Sequence, residues 1–224
     1  ETQQCVNSYF NNDTLIICEG DSIEISANGV TTQVLGGTDV FKQINDSTIK
    51  VSPFKNAYYF IKENNINKDS ILVIVKNNPD IFLGNDTTIC KGDILNINLT
   101  LNGNYLWSTG ETSASIKIKD KGVYRVQVEN SDGCIGNDTI EIEFKNLPII
   151  NLGNDSTICM GDSVVLNAQN NGLNYLWNTG ATTQKITVNQ TGNYSVKVTD
   201  DIGCSDSSKI KIQVNDLPTI NLGN

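Results

Sequence analysis

Apolar and polar residues alternate with a period of two in many short stretches of the chain. In the middle of the sequence this pattern runs through Leu95-Ile97-Leu99-Leu101, Tyr124-Val126-Val128 and Ile140-Ile142-Phe144. It returns in Val164-Leu166-Ala168, Tyr194-Val196-Val198 and Ile210-Ile212-Val214. Such alternation gives a β-strand one apolar face, and no stretch has the spacing of an amphipathic helix. The pattern therefore predicts an all-β chain of short strands.

The strand pattern belongs to a repeat of about seventy residues. The segments LGNDTTICKGD and LGNDSTICMGD begin at Leu83 and Leu152, and a third copy, LGN, begins at Leu222. Cysteine, tryptophan, tyrosine and proline positions keep step between the copies. The domains predicted from this register are a divergent N-terminal repeat (1–79), two full repeats (80–147 and 148–217) and the start of a further repeat (218–224).

Each repeat contains enough strands for two sheets but offers only a small apolar core. Turn signals such as KGD, NGN, DKG and SDG separate six or seven predicted strands. Strands with a single apolar face bury those faces against a second sheet, which predicts a tandem array of small antiparallel β-sandwiches. A core of this size is marginally stable alone, and one disulfide per repeat would add roughly 2–4 kcal/mol.

The spacing of the cysteines favours disulfides over a thiolate metal site, because close CxxC pairs are absent. The candidates are Cys5, Cys18, Cys90, Cys134, Cys159 and Cys204. We expect the pairs Cys90–Cys134 and Cys159–Cys204, each joining the first strand of a repeat to its last hairpin. Cys5 would replace the hairpin partner that Cys18 lacks, and bridges between repeats, such as Cys134–Cys159, remain the alternative. Disulfides indicate an oxidising, extracellular compartment.

The charge balance and the missing histidines narrow the range of functions. The formal net charge is −9 with a pI near 4.4, which disfavours binding to nucleic acid or to an anionic membrane. The absence of histidine excludes Ser-His and Cys-His catalysis and all histidine-ligated metals. No apolar run approaches the roughly 18–20 residues needed to span a bilayer. We therefore expect a non-enzymatic protein without nucleic-acid partners or membrane insertion.

The repeat consensus is LGND(T/S)TIC-x-GD, then YLW(S/N)TG-x-(T/S), then G-x-Y-x-V-x-V and GC. It resembles the PKD-like, immunoglobulin-like repeats of large bacterial surface proteins, including gliding-motility adhesins exported by the type IX pathway. The resemblance covers residues 80–216 well and residues 10–79 loosely, and it lacks the WxFGDG continuation of typical PKD domains. It implies immunoglobulin-like sandwiches on the bacterial cell surface.

The aromatic positions of the consensus match the wider PKD pattern. We expect the following residues to be structural core: Trp107, Trp177, Tyr58, Tyr124 and Tyr194. Their recurrence at one position in successive repeats favours packing, as for the core tryptophan of immunoglobulin-type sandwiches. The alternative is that Trp107 and Trp177 are exposed platforms that stack against sugars.

Two sets of polar residues near predicted turns are candidate sites. Asp-Ser and Asp-Thr triplets resemble the O-glycosylation signal of the same bacterial group, with candidate acceptors Thr14, Ser22, Ser47, Ser70, Thr87, Thr139, Ser156 and Ser163. Carboxylates that could supply Ca²⁺ ligands are Asp86, Asp93, Asp132, Asp138, Asp155, Asp162 and Asp206. Turn-forming Asx residues ahead of a strand would produce both patterns without a glycan or a metal.

Short NNP, NLP and DLP junctions lead from one repeat to the next. Proline fixes its own φ and restricts the preceding residue, so we expect neighbouring sandwiches at a defined angle, a rod, and a first repeat acting as a cap. The predicted function is the stalk of a bacterial surface adhesin or filament. Its partners would be neighbouring repeats, surface polysaccharide or other cell-surface proteins. The alternatives are a carbohydrate- or partner-binding array and the accessory domains of a secreted hydrolase.

Overall fold

The computed structural model describes residues 14–26, 33–35, 41–45, 48–63, 66–169 and 173–218. In these ranges all regular structure is β-strand, and none of the described residues forms a helix long and apolar enough to cross a membrane. The first repeat contains β1 (Thr14–Cys18), β2 (Ile23–Ser26), β3 (Gln33–Leu35), β4 (Phe41–Asn45), β5 (Thr48–Val51), β6 (Ala57–Glu63) and β7 (Ile66–Lys76). The all-β prediction is confirmed.

The second and third repeats have the same six strands in the same order. Those of the second repeat are β8 (Thr87–Cys90), β9 (Leu95–Asn98), β10 (Asn104–Trp107), β11 (Ser115–Ile118), β12 (Gly122–Glu129) and β13 (Ile135–Lys145). Those of the third are β14 (Ser156–Cys159), β15 (Val164–Asn167), β16 (Asn174–Trp177), β17 (Lys185–Val188), β18 (Gly192–Thr199) and β19 (Ser205–Asn215).

Every repeat is an immunoglobulin-like sandwich of a larger and a smaller sheet. The larger sheet has the strand order β1-β7-β6-β3, β8-β13-β12-β10 or β14-β19-β18-β16, and the smaller sheet is β2-β5-β4, β9-β11 or β15-β17. The first strand of each repeat runs parallel to the last strand, so that Cys18, Cys90 and Cys159 lie opposite Lys76, Lys145 and Asn215. This parallel pair departs from a wholly antiparallel sandwich and brings the ends of both strands to one end of the repeat.

The period-two alternation in the sequence becomes the two faces of the larger sheet. In the second repeat Val126 and Val128 are fully buried, and in the third Val196 and Val198 are buried in the same way. Trp107 and Trp177 are 2% and 1% exposed. Their indole N–H groups donate to the carbonyl oxygens of Ser113 (2.9 Å) and Thr183 (2.8 Å). A buried N–H needs such an acceptor, so both indoles are held in the core.

The first repeat has its own core, and it corrects the prediction for Tyr58. Tyr58 is 56% exposed, whereas its neighbour Tyr59 is 3% exposed and packs among the buried residues. Tyr59 lies opposite Ile71, in the same register in which Tyr194 lies opposite Ile210. The register between β6 and β7 shifts after Ile61, so β6 is one residue short and counting back from its end selects the wrong tyrosine.

Contacts divide the chain into two compact units that do not follow the repeat boundaries. One unit comprises Glu1–Gly84, Ile97–Ile116 and Tyr124–Ile140, and the other comprises Asn85–Asn96, Lys117–Val123 and Glu141–Asn224. Both units therefore contain part of the second repeat. Each unit also contains one of the two disulfides described below.

Candidate functional site

A short hairpin with an Asx-x-x-Gly-Cys sequence precedes the last strand of the second and third repeats. In the second repeat Asn130 Oδ1 accepts hydrogen bonds from the backbone N–H groups of Asp132 (3.0 Å) and Cys134 (2.9 Å). In the third, Asp200 Oδ1 accepts from Ile202 (3.0 Å) and Cys204 (2.8 Å). These bonds close an Asx turn and fix the direction in which the cysteine points.

A matching turn lies at the end of the first strand of each repeat. The sequences EGD, KGD and MGD follow Cys18, Cys90 and Cys159. The central glycine of KGD, Gly92, has φ +99°, and Asp93 N–H donates to the carbonyl oxygen of Cys90 at 3.0 Å. Glycine adopts this left-handed conformation without steric cost, so the chain turns sharply and leaves the cysteine at the end of the sandwich.

The disulfides join neighbouring repeats, which is the kind of pairing that the alternative predicted, and this corrects the expected bridges within repeats. Cys18 bonds to Cys134 with a Cα–Cα distance of 5.4 Å, and Cys90 bonds to Cys204 with the same distance. The predicted bridges Cys90–Cys134 and Cys159–Cys204, and the alternative Cys134–Cys159, do not form. Cys159 is an exposed free thiol. Cys5, predicted to pair with Cys18, lies outside the described residues.

Strand geometry explains why the predicted bridges cannot close within a repeat. Cys90 lies opposite Lys145, the last residue of β13, whereas Cys134 directly precedes the first residue of that strand. At roughly 3.3 Å per residue, the 11-residue strand separates the two cysteines by about 36 Å. Disulfides need Cα atoms within about 7 Å. The first-strand cysteine therefore meets the hairpin of the next repeat, not that of its own.

Polar contacts surround both disulfides. At the first junction Lys76 Nζ lies 3.1 Å from Asp132 Oδ1, and Asn130 Nδ2 donates to the carbonyl oxygen of Asn77 at 3.1 Å. At the second junction Lys145 Nζ lies 3.2 Å from Asp200 Oδ2 and also hydrogen-bonds to Asp201. The lysine that ends the last strand of one repeat thus pairs with carboxylates in the hairpin of the next.

The second junction shifts the pKa of all three charged groups. Burial raises the pKa of Asp200, which is 7% exposed, but hydrogen bonds from Cys204 N–H, Lys145 and Ile202 N–H together outweigh burial and lower it. The hydrogen bond from Lys145 lowers the pKa of Asp201, and the same bond raises the pKa of Lys145. The geometry therefore favours the charged forms at neutral pH.

The pKa directions give the junction a defined pH dependence. The carboxylates of Asp200 and Asp201 stabilise the folded state fully above the ordinary aspartate pKa of about 3.9. This stabilisation is lost as the pH falls through their lowered pKa values. The ammonium group of Lys145 stabilises the folded state fully below about pH 10.4, and its stabilisation is lost as the pH rises through its raised pKa. We expect Asp200→Asn to lower the thermal midpoint at pH 5–9 and to match the wild type in strong acid. Calorimetry from strong acid to pH 9 measures the thermal midpoint of both proteins. A difference in midpoint that stayed unchanged in strong acid would contradict this expectation.

The Asx turn of the second repeat can be tested by removing its side-chain acceptor. Asn130→Ala removes the acceptor for two backbone N–H groups, so we expect a loss of about 1–2 kcal/mol in the free energy of unfolding. Asn130→Asp is the matched control because Asp200 makes the same turn in the third repeat. Both variants lose the hydrogen bond from Asn130 Nδ2 to the carbonyl oxygen of Asn77, so the difference between them reports on the side-chain acceptor. Urea unfolding of both variants measures the difference. Equal destabilisation by Ala and Asp would show that the side-chain acceptor is not what stabilises the hairpin.

The remaining candidate residues lie apart from the junctions or within turns. Trp107 and Trp177 are core residues, and Tyr124 and Tyr194 are half-buried. Among the candidate acceptors Thr14, Thr139, Ser156 and Ser163 are exposed, Ser22, Ser70 and Thr87 are half-buried, and Ser47 lies outside the described residues.

Among the carboxylates considered as calcium ligands, those of Asp86, Asp138, Asp155 and Asp206 accept hydrogen bonds from backbone N–H groups. Asp86 and Asp155 each accept a hydrogen bond of 2.8 Å from a backbone N–H of the last strand, at Glu141 and Lys211, and Asp138 accepts one from Leu83 at 2.6 Å. The N–H groups of Asp93 and Asp162 close the turns after Cys90 and Cys159, and Asp206 accepts from Ser207 N–H. In the part of the chain that the structure describes, no three acidic or cysteine side chains converge as metal ligands would.

Sequence reasoning did not find the lysines and Asx residues of the junctions. Lys76 and Lys145 recur at the end of the last strand in two repeats, and Asn130 and Asp200 recur four residues before a hairpin cysteine. The recurrence of these residues is visible in the sequence. The contact between the lysine and the hairpin is not, because the lysine belongs to one repeat and the hairpin to the next.

The fold defines this chain as a tandem immunoglobulin-like protein with disulfides between its repeats. Comparison with protein-family models and with curated proteins gave no match. Among solved structures it is similar to the insect immune protein hemolin, at 14% identity over 94% of this chain and 75% of that chain with a TM-score of 0.35. It is also similar to the eight N-terminal Ig domains of Down Syndrome Cell Adhesion Molecule (12% identity, 90% of this chain, 36% of that chain, TM-score 0.41). A third is the I9–I11 tandem of titin (10% identity, 91% and 97%, TM-score 0.34).

Proposed function

We propose that this chain is a non-enzymatic structural segment, the stalk of a bacterial surface adhesin or filament. The observation that supports it is the pair of disulfides between successive repeats, Cys18–Cys134 and Cys90–Cys204. Separate binding modules can each bind a ligand without covalent bonds between them. A segment that must transmit tension gains directly, because a covalent bond survives forces that separate packed surfaces. Disulfide-bonded Ig-like domains also fit an extracellular or secreted location.

The repeat consensus supports the more specific assignment to the cell surface of gliding bacteria. In this proposal the partners of the stalk are its own neighbouring repeats along the chain, with surface polysaccharide or other cell-surface proteins contacted by the exposed faces. The buried state of Trp107 and Trp177 argues against sugar stacking on these two residues. A carbohydrate-binding role would need other side chains.

Immunogold electron microscopy of intact producer cells tests the location. The antibody is raised against residues 80–216, and the matched control is the same cells with the coding sequence deleted. Label along surface filaments is the expected result. Label found only in the culture medium would overturn the stalk proposal and favour the accessory domains of a secreted hydrolase.

Glycosylation is a separate part of the proposal. The exposed acceptors Thr14, Thr139, Ser156 and Ser163 are the accessible members of the Asp-Ser/Thr set. We expect added mass on native peptides that contain them, measured by mass spectrometry against the same protein made in a host without the modification. Bare native peptides at all four positions would remove glycosylation from the proposal.

A further inference from the structure

The end of the third repeat carries an uncovered copy of a surface that is covered twice elsewhere in the chain. Cys159 and Asn215 stand in the positions that Cys18 and Lys76 occupy in the first repeat and Cys90 and Lys145 in the second. In the first two repeats these four residues are half-buried, whereas Cys159 and Asn215 are exposed. The end of the third repeat therefore has the same fold as the ends of the first and second repeats, but it is exposed where they are packed against a hairpin.

The contrast extends beyond the cysteine to apolar residues. In the second repeat Leu147 is half-buried and Pro148 is buried. Their counterparts Leu217 and Pro218 are both exposed, Leu217 by 58%. Exposed apolar residues next to a free thiol, at a position that binds a hairpin in both other repeats, indicate an interface of the same kind.

We propose that this surface, formed by Cys159, Met160 and 215–218, receives the hairpin of a further repeat through a disulfide to its cysteine. The occupant is a β-hairpin with the sequence Asx-x-x-Gly-Cys, because this is the element that covers the equivalent surface at both described junctions. The hairpin cysteines Cys134 and Cys204 are already bonded, and the first repeat has asparagines in place of this cysteine (KENNIN, 62–67). A repeat with an unused hairpin cysteine is therefore the occupant that fits.

The bond forms by thiol–disulfide exchange with a disulfide oxidant such as oxidised glutathione. The Cys159 thiolate attacks one sulfur of the oxidant and releases one reduced glutathione. The hairpin thiolate then attacks the Cys159 sulfur of this mixed disulfide and releases the second. Two thiols lose two protons and two electrons, and one oxidised glutathione becomes two reduced molecules.

The surface also differs from its counterparts in charge. Lys76 and Lys145 pair with hairpin carboxylates, but Asn215 is neutral and is followed by Asp216. A hairpin with aspartates at the positions of Asp200 and Asp201 would meet the neutral Asn215 in place of a lysine. We therefore expect Asn215→Lys to speed the capture of such a hairpin, with a benefit that salt reduces.

Disulfide mapping of native protein tests the proposal directly. Protein from producer cells is alkylated, digested without reduction and analysed by mass spectrometry. The expected result is a peptide containing Cys159 bonded to a second peptide that contains Gly-Cys in an Asx-x-x-Gly-Cys sequence. Recovery of Cys159 as an alkylated thiol, or bonded to Cys159 of another molecule, would overturn the proposal.

An extended chain provides a second test with matched controls. Residues 155–217 are appended after Asn224, which continues the repeat, and the appended copy of Cys159 is changed to serine. Refolding in a glutathione buffer should bond Cys159 to the appended copy of Cys204. In the control chain the appended copy of Cys204 is also changed to serine, and this chain should retain a free Cys159. Bonding of Cys159 elsewhere in the extended chain would contradict the proposal. If the extended chain does not fold, as judged by circular dichroism, native mapping decides.

This inference deepens the proposed stalk function, since it extends the array by one bond, but the two can fail separately. Cell labelling tests where the protein is, whereas disulfide mapping tests what Cys159 holds. Label in the medium together with a mapped Cys159 bridge would reject the location and retain the junction.

Discussion

Trp107→Ala should reduce the free energy of unfolding of the second repeat by about 3–5 kcal/mol, the cost of truncating a buried aromatic residue. The indole is 2% exposed, and its N–H group donates to the carbonyl oxygen of Ser113. Alanine leaves a cavity beside Val126, the cross-strand neighbour of Trp107, and removes the partner of that carbonyl. Urea unfolding followed by hydrogen exchange of the β12 amides measures the loss within this repeat.

The chain supplies its own controls for this experiment. Trp177 is the other tryptophan, so its fluorescence in the Trp107→Ala variant reports on the third repeat. Trp107→Phe keeps a buried ring and should cost less than alanine. A loss below about 1 kcal/mol for alanine would be the value of a surface substitution. It would also revive the interpretation of Trp107 as an exposed platform.

Removing the Cys90–Cys204 bridge by replacing both cysteines with serine should cost about 2–5 kcal/mol of stability. The bridge closes a loop with a sequence separation of 114, and long loops restrict the unfolded chain most in the chain-entropy account. Thermal and urea unfolding of the double variant against the oxidised wild type measure the effect. Cys159→Ser is the matched control, because Cys159 is exposed and unpaired.

The single variant Cys204→Ser separates the described pairing from the predicted one. It should leave Cys90 open to alkylation and leave the Cys18–Cys134 bridge intact. Peptide mapping decides between the two pairings. If the variant exposed Cys159 as a new thiol instead, Cys204 would be bonded to Cys159 within the third repeat and not to Cys90.

The strands could be predicted from the sequence because alternation is a local property. Val126 and Val128 point inward because alternate residues of a strand lie on the same face. The same alternation is visible in the sequence. The prediction that Tyr58 is buried was wrong because a single-residue shift in register between β6 and β7 exchanges the inner and outer faces of the strand. No residue type in that stretch marks the shift, and both Tyr58 and Tyr59 suit a core position.

The disulfide pairing could not be read from spacing, because two arrangements are equally regular. Cys90 is 44 residues before Cys134, and Cys159 is 45 residues before Cys204. The bridges that form have separations of 116 and 114. Only the length of β13, which places Cys90 and Cys134 at opposite ends of one strand, distinguishes them. That length becomes decisive once the parallel partner strand is known.

The two disulfide loops overlap, and this sets a limit on how far the chain can be stretched. Between Cys18 and Cys204 the oxidised chain offers three covalent routes, and the shortest runs through the 44 residues from Cys90 to Cys134. At about 3.5 Å per residue, this route has a contour length of about 150 Å, against about 650 Å for the 186 residues of the reduced chain. Under a pull strong enough to unravel every sandwich, the other two routes would stay slack while the middle segment bore the load. The disulfides therefore set a maximum extension for the oxidised chain between Cys18 and Cys204, and their reduction would release the remaining contour length.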